Sequence, residues 1–258
     1  MWSIGWPKMP WSSNSAALRS PGAQALSGLS IVIPVHDEAE VIGDVIAAVR
    51  AAVPEVAFRW ELVVVDDGSA DGTAAVLDAM ELADARLRVV RHDRNRGYGA
   101  ALRSGFAAAR FEWVFYMDGD GQLDPGQLPD AVAALADADG VVGYRVHRAD
   151  PLLRRLNAAL WNGLVRSLLG VAIRDLNCAF KLLPRRLLAP DSLFASGAVL
   201  SAEIVARAAR SGCRLAEIPI EHRPRRRGRS SGGRPSVMLR AAWELPRLYW
   251  RLRRESPA

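Results

Sequence analysis

Cysteine is nearly missing from this 258-residue chain: only Cys178 and Cys213 occur, with no CxxC and no Cys/His cluster. A disulfide framework and a structural zinc site are therefore excluded, and a reducing compartment is expected. Long apolar runs are missing as well, since none reaches the roughly 18 residues of a membrane-spanning helix. The first 24 residues hold no continuous apolar stretch of the kind a secretory signal needs. Residues 1–28, with Trp2, Trp6 and Trp11 spread among Pro, Ser and Gly, read as a disordered tail. A contact at a membrane interface is the second reading, because Trp favours that zone. No GxGxxG follows the first strand and no GxxxxGK[ST] occurs, which removes the dinucleotide and P-loop readings. No internal repeat is found. Acidic charge is short at one end only: from Ile220 to Ala258 there are 11 Arg and 3 Glu, so +8 sits there and the first 219 residues sum to −2, for a net +6. A basic tail on a near-neutral body suits nucleic acid, an anionic membrane surface or a phosphate-bearing substrate.

What is present is globular, with half the residues hydrophobic and 24% charged. Short β-branched runs alternate with Ala-rich helical stretches from Leu29 to about Gly143. Strands are predicted at Ile31–Val35, Glu61–Val65, Leu87–Arg91, Trp113–Met117 and Gly140–Val142. Helices are predicted at Glu38–Ala51, Gly72–Leu82, Gly97–Ala109 and Pro125–Leu135. This alternation predicts an α/β fold with a mainly parallel central sheet flanked by helices. Beyond Gly143 the pattern changes to an amphipathic helix at Asp150–Gly170, a helix at Ala198–Arg210 and a short strand at Arg214–Pro219. An Arg/Gly/Ser-rich loop follows, then a helix over Ser236–Arg253, whole or broken at Pro246. The expected organisation is a tail (1–28), one domain (29–235) with halves 29–143 and 144–235, and an amphipathic basic helix (236–258).

Ligands of such sheets bind beyond the carboxyl ends of the strands, and acidic residues recur there. The first strand ends in Pro34-Val35-His36-Asp37-Glu38, the second in Asp66-Asp67-Gly68-Ser69, the fourth in Asp118-Gly119-Asp120-Gly121-Gln122. Carboxylates gathered on one edge repel unless a cation joins them. Asp118 and Asp120, one residue apart, can face a single point, and Mg²⁺ or Mn²⁺ with hard oxygen ligands suits that geometry, with Gln122 as a third protein ligand. The competing reading of an isolated DxD is an ordinary turn.

IVIPVHDEAE, VVVDDGSADGT, RNRGYGAAL and MDGDGQLDP, in this order and spacing, resemble the inverting glycosyltransferase family 2, and most closely its polyprenyl-phosphate (dolichol-phosphate) mannose synthase branch. The likeness covers roughly Leu29 to Arg234 and implies the GT-A nucleotide-diphospho-sugar transferase fold. It implies that Pro34, Glu38 and Asp66 surround the nucleotide base and ribose, with Asp67 near them. It also implies that Asp118, Asp120 and Gln122, with Gly119 between the carboxylates, hold a metal on the diphosphate. Arg145 matches the Gly-x-Arg after the next strand, Asp175 an acidic position that lines the sugar pocket, and Arg225, Gly228 and Ser230 the Arg-x-x-Gly-x-Ser of an acceptor loop. Arg154 and Arg155 match paired arginines of an interface helix. His36-Asp37 replaces the usual Tyr-Asn.

The reaction so implied moves a sugar, mannose or glucose, from a nucleotide-diphosphate donor to a polyprenyl phosphate. A phosphate oxygen is already a competent nucleophile and needs no strong general base. Arginines suit the acceptor phosphate because their planar fork binds two oxygens. The catalytic set expected is Asp120, Arg145, Asp175, Arg225 and Ser230. A peripheral position on the cytoplasmic face of the membrane is expected, with the last helix either interfacial or packed on the domain. A hydroxyl acceptor with Asp175 as base is the alternative, and a non-catalytic membrane-associated module the third. Nucleic acid is not an expected partner, since the arginine run lacks interleaved aromatics and the acidic edge repels a polyanion.

Overall fold

The computed structural model describes residues 25–146, 152–224 and 235–255. One seven-stranded sheet organises them: β1 (Leu29–Val35), β2 (Trp60–Asp66), β3 (Leu87–Arg91), β4 (Trp113–Tyr116), β5 (Gly140–Val146), β6 (Lys181–Pro184) and β7 (Leu215–Glu221), in the spatial order β3-β2-β1-β4-β6-β5-β7. All pairings are parallel except those of β6, which runs antiparallel to both β4 and β5. The expected α/β class and mainly parallel sheet are what the structure has.

Alternate residues of β1 feed two cores. Ile31, Ile33 and Val35 face the helices α1 (Ile42–Ala52), α2 (Thr73–Ala83) and α4 (Leu128–Ala134). Val32, with Val63 and Val65 of β2, faces α3 (Tyr98–Ala108), α6 (Gly197–Arg210) and α7 (Pro235–Arg254). Both faces being covered explains why β1 and β2 read as continuous apolar runs rather than alternating ones. α3 approaches closely enough that a methyl group on Gly105 would lie 2.3 Å from Val32 Cγ1.

Several boundaries differ from expectation for local reasons. The helix expected from Glu38 begins at Ile42, because residues 38–41 form a turn after Asp37, which holds a left-handed φ of 56°. Residues 125–135 divide into a short 3₁₀ turn (Pro125–Gln127) and α4, each opening near a proline that a first turn tolerates. β5 continues past Val142 to Val146, because β7 pairs with it along its whole length. β6 was not expected. α7 is one helix through Pro246: its buried stripe Ala241, Leu245, Leu248 and Leu252 packs into the second core and offsets the hydrogen bond that proline removes. α5 (Leu152–Leu169) fills the expected amphipathic helix, with Arg154 and Arg155 in its first turn.

Candidate active site

The acidic turns after β1, β2 and β4 meet along one sheet edge, but they are built differently. After β1 and β2 the carboxylates bind the backbone. Asp67 N–H donates to the Val35 carbonyl (2.9 Å), Asp37 N–H to Ser69 Oγ (3.0 Å), Ala70 N–H to Asp37 Oδ1 (2.8 Å) and Ala39 N–H to Asp71 Oδ2 (3.1 Å). Glu38 N–H donates to Thr73 Oγ1 at 2.9 Å. The two turns are thereby stitched into one ledge. His36-Asp37 thus carries a structural load: Asp, like Asn, tolerates the left-handed conformation and caps Ala70.

Asp66 is buried and accepts from both the N–H (3.0 Å) and the hydroxyl (2.6 Å) of Ser69. Asp67 is buried too, and its carboxylate is taken up internally. Oδ1 accepts from Arg96 N–H at 2.8 Å and lies 2.6 Å from His92 Nδ1, while Oδ2 accepts from Gly97 N–H at 2.7 Å. His92 is in turn 2.9 Å from Ser104 Oγ. Among the described residues, the anion seated at the start of α3 is thus the protein's own Asp67. Gly68 (φ 68°) makes this possible, since a Cβ there would meet the Arg94 backbone at 2.4 Å.

The turn after β4 is different. Val32 accepts from Met117 N–H at 3.2 Å, and there the β1–β4 ladder ends. Pro34, which has no N–H, lies past the last β4 partner and so forfeits nothing on that side. Gly119 slots against the end of β1, where a Cβ would stand 2.5 Å from Val35 Cγ1 and 3.2 Å from the Pro34 carbonyl oxygen. Asp118 emerges beside it. Its Oδ1 is buried without a hydrogen-bond partner, and the Tyr98 hydroxyl donates to the carboxylate. Burial, then repulsion from Asp120, push its pKa up to about 6 against the pull of Tyr98, Arg145 and Lys181. Asp120 Oδ1 accepts from Gln122 N–H at 3.1 Å.

Gln122 links this turn to the start of the arginine-rich segment. Its Nε2 donates to the Arg223 carbonyl (3.0 Å), its own carbonyl accepts from Arg223 N–H (2.9 Å), and Leu123 bridges His222. Arg223 adds an ion pair with Asp124 at 2.8 Å. Arg225, Gly228 and Ser230 follow directly and lie outside the described residues, as does the tryptophan-bearing N-terminus.

Arg145, on β5, meets Asp175 as a two-point ion pair, Nε to Oδ2 at 2.7 Å and Nη2 to Oδ1 at 2.9 Å, and both side chains are largely buried. Two participants escaped the sequence reading. Tyr98 stood inside the quoted RNRGYGAAL without a role. Lys181, wholly buried on β6, donates to the carbonyls of Leu176 (3.1 Å) and Cys178, and so holds the turn that carries Asp175. Burial lowers its pKa, while the nearby Cys178 thiol and the Asp175 and Asp118 carboxylates oppose that shift. A lysine within the apolar run Ala179-Phe180-Lys181-Leu182-Leu183 was the available signal. Glu203, within α6, is fully buried and accepts from the Phe194 and Ala195 N–H groups.

Among the described residues, no three His, Cys, Asp or Glu side chains converge into a metal cage. The fit to a divalent cation rests on Asp118: a buried carboxylate with an unpartnered oxygen, next to a second carboxylate, is a site short of positive charge.

Solved structures share this architecture. Glucosyl-3-phosphoglycerate synthase from Mycobacterium tuberculosis, crystallised with Mn²⁺, UDP-glucose and phosphoglyceric acid, superposes with a TM-score of 0.68 at 21% identity, covering 95% of this chain and 86% of that one. The same enzyme with UDP gives 0.68 at 23% identity, over 87% and 80%. The fold is GT-A. Among curated proteins, dodecaprenyl-phosphate galacturonate synthase of Rhizobium johnstonii is 36% identical over 160 residues, 60% of this chain and 47% of that protein. Undecaprenyl-phosphate 4-deoxy-4-formamido-L-arabinose transferase of Salmonella paratyphi A is 30% identical over 215 residues, 81% of this chain and 63% of that protein. The chain therefore spans about half to just under two thirds of the length of these relatives. Residues 30–188, which run from β1 through β6 and contain all three acidic turns and the Arg145–Asp175 pair, match the family model "Glycosyl transferase family 2", and the chain belongs to that family.

Proposed function

We propose that the protein is an inverting glycosyltransferase that moves a sugar from a nucleotide-diphosphate donor to a polyprenyl phosphate at a membrane surface. One observation carries this reading: beside Asp118, whose buried Oδ1 has no hydrogen-bond partner, Gln122 and Asp124 hold Arg223, the residue that leads into the arginine-rich sequence. A sequence rich in phosphate-binding arginines thus starts beside an acidic edge suited to a cation, as a reaction between two phosphate-bearing substrates requires.

Pro34, Glu38 and Asp66 form the ledge for the base and ribose, and Asp67 supports it from behind by fixing residues 92–97. Asp118 and Asp120, beside Gly119 and with Gln122 adjoining, would hold Mg²⁺ or Mn²⁺, which supplies positive charge to the leaving diphosphate. The acceptor phosphate oxygen attacks the anomeric carbon from the side opposite the diphosphate; the new C–O bond forms as the bond to the diphosphate breaks, with inversion. Arg225 and Ser230 orient the acceptor phosphate, joined by Arg154 and Arg155. Arg145 is a fixed positive charge on the sugar side, its guanidinium held by Asp175.

That ion pair also weighs against the hydroxyl-acceptor alternative. A base at Asp175 would have to break two short bonds to Arg145 before accepting a proton, whereas a phosphate acceptor asks for no base.

The membrane contact fits two outer faces. α5 exposes Leu160, Leu164 and Leu168, one turn apart, and α7 exposes Leu239, Trp243 and Trp250 among Arg240, Arg247, Arg253 and Arg254. Arg247 stacks on Trp243, and Arg253 lies 5.3 Å from the centre of the Tyr249 ring. Aromatics beside arginines on an amphipathic helix suit an anionic interface. Among the described residues no helix is long and apolar enough to cross a membrane.

The test is a donor panel of GDP-mannose, UDP-glucose, UDP-GlcNAc and UDP-galacturonate with undecaprenyl phosphate, with and without chelator. Mannose or glucose is the sugar expected from the branch resembled, and the uronic-acid donor is included because of the galacturonate synthase among the relatives. Transfer from one donor, abolished by chelation, is the expected result. Transfer indifferent to chelation would overturn the metal assignment, and transfer only to hydroxyl acceptors the lipid assignment.

A further inference from the structure

A line of partly buried contacts runs from the last helix to the Tyr98–Asp118 pair, and the proposed mechanism leaves it unused. Glu244, on the inner side of α7, is 9% exposed, and both its oxygens accept from Ser196: Oε2 from the backbone N–H at 2.9 Å and Oε1 from the hydroxyl at 2.6 Å. Glu203 of α6 holds the same connection two residues earlier, accepting from Phe194 N–H at 2.9 Å and Ala195 N–H at 2.7 Å. Burying a carboxylate is costly unless hydrogen bonds replace its water, and here the replacements lie on one short irregular segment.

On its other side that segment meets the first turns of α3. Arg103 donates to the Ala195 carbonyl at 2.6 Å. A Cβ on Gly99 would lie 2.9 Å from Ser196 Cα and 3.0 Å from Gly197 N. With no room for even a methyl group between them, the two backbones pack directly on one another, and close-packed elements transmit displacement. Gly99 directly follows Tyr98, whose hydroxyl bonds Asp118.

We propose that Glu244 is a positioning residue: through Ser196 and the close contact at Gly99, α7 sets the start of α3 and thereby the hydroxyl that Tyr98 presents to Asp118. The inference rests on the proposed function only for what Asp118 holds. It makes α7, whose outer face carries the exposed tryptophans, a strut of the donor edge as well as a surface helix.

Hydrogen exchange of the full chain, read by mass spectrometry, tests this without any ligand. Glu244→Ala removes both bonds to Ser196. Glu244→Gln keeps them, since its amide oxygen accepts from the Ser196 N–H and its amide N–H₂ donates to the hydroxyl. In Glu244→Ala, peptides covering 97–103 should exchange about tenfold faster, together with 193–199, while α2 (73–83) stays unchanged. Glu244→Gln should match the wild type. Acceleration confined to 193–199 and α7, or Glu244→Gln behaving like Glu244→Ala, overturns the proposal. Should Glu244→Ala unfold, Gly99→Ala presses on the same contact from the α3 side. It should accelerate both 97–103 and 193–199, and a change in 97–103 alone would contradict the coupling. In turnover, Glu244→Ala combined with Tyr98→Phe should be no slower than the slower single variant, whereas multiplied losses would show that the two act independently.

Discussion

Two acidic pairs stand at the ends of the strands that flank β1, Asp66-Asp67 after β2 and Asp118/Asp120 after β4, and they have opposite fates. Asp67 is saturated by two backbone N–H groups and a histidine. Asp118 has one buried oxygen without a partner and a pKa pushed up to about 6 by burial and by Asp120. The difference is local. Gly68 lets the chain carrying Arg94–Gly97 fold over Asp67 and supply N–H donors, whereas Gly119 seats the second turn against β1 and leaves Asp118 Oδ1 buried without a donor. A carboxylate that the backbone satisfies is architecture; one left buried with an oxygen unpartnered is a candidate site.

The largest expected effect is on turnover. Asp118→Asn or Asp120→Ala should lower transfer by about 10²-fold or more with no loss of thermal stability, checked by a radiolabelled-sugar transfer assay beside a melting curve. If Asp67→Asn matched that loss while keeping its melting temperature, the two pairs would be equivalent and the contrast would fail. Next comes stability at Asp67. Asp67→Ala orphans the Arg96 and Gly97 N–H groups and should cost about 2–4 kcal/mol in urea unfolding.

Asp118→Asn should do the reverse, gaining about 1–3 kcal/mol in metal-free buffer at pH 7.5. The sign follows from a folded pKa near 6 above the ordinary 3.8. The ionised carboxylate costs stability at every pH above 6, and the cost fades as pH falls from 6 toward 4. The gain of the Asn variant should therefore shrink across that window; a gain constant from pH 7.5 to 4.5 would refute the cause given. Asp37→Asn should move stability least, by under about 0.5 kcal/mol, because Asn also tolerates the left-handed φ and caps Ala70.

The same contrast shows what the chain alone discloses. The parallel strands, the flanking helices and the three acidic turns were legible because apolar runs ending in Asp/Gly clusters are local signals. β6 was not: Lys181–Pro184 is four residues long, carries a lysine and a proline, and becomes a strand only because β4 and β5 leave a slot that it fills antiparallel to both. The functions of Asp66 and Asp67 could not be separated either. Both are strand-end aspartates, and only the fold of residues 92–97, brought over by α3, marks Asp67 as internal. Tyr98 gains its role from Asp118 on another element, Lys181 from carbonyls that only the folded turn before it presents, and the pairing of Arg145 with Asp175 spans 30 residues.

Cation binding at the β4 turn is the most direct test. Mn²⁺ is titrated into the full chain at saturating UDP or GDP, whichever the wild type binds, and compared among wild type, Asp118→Asn, Asp120→Ala and Asp67→Asn. Nucleotide-dependent Mn²⁺ binding that weakens about 10²-fold in the Asp118 and Asp120 variants, and stays within a few fold in folded Asp67→Asn, is the predicted result. Equal Mn²⁺ affinity in wild type and Asp120→Ala would contradict it.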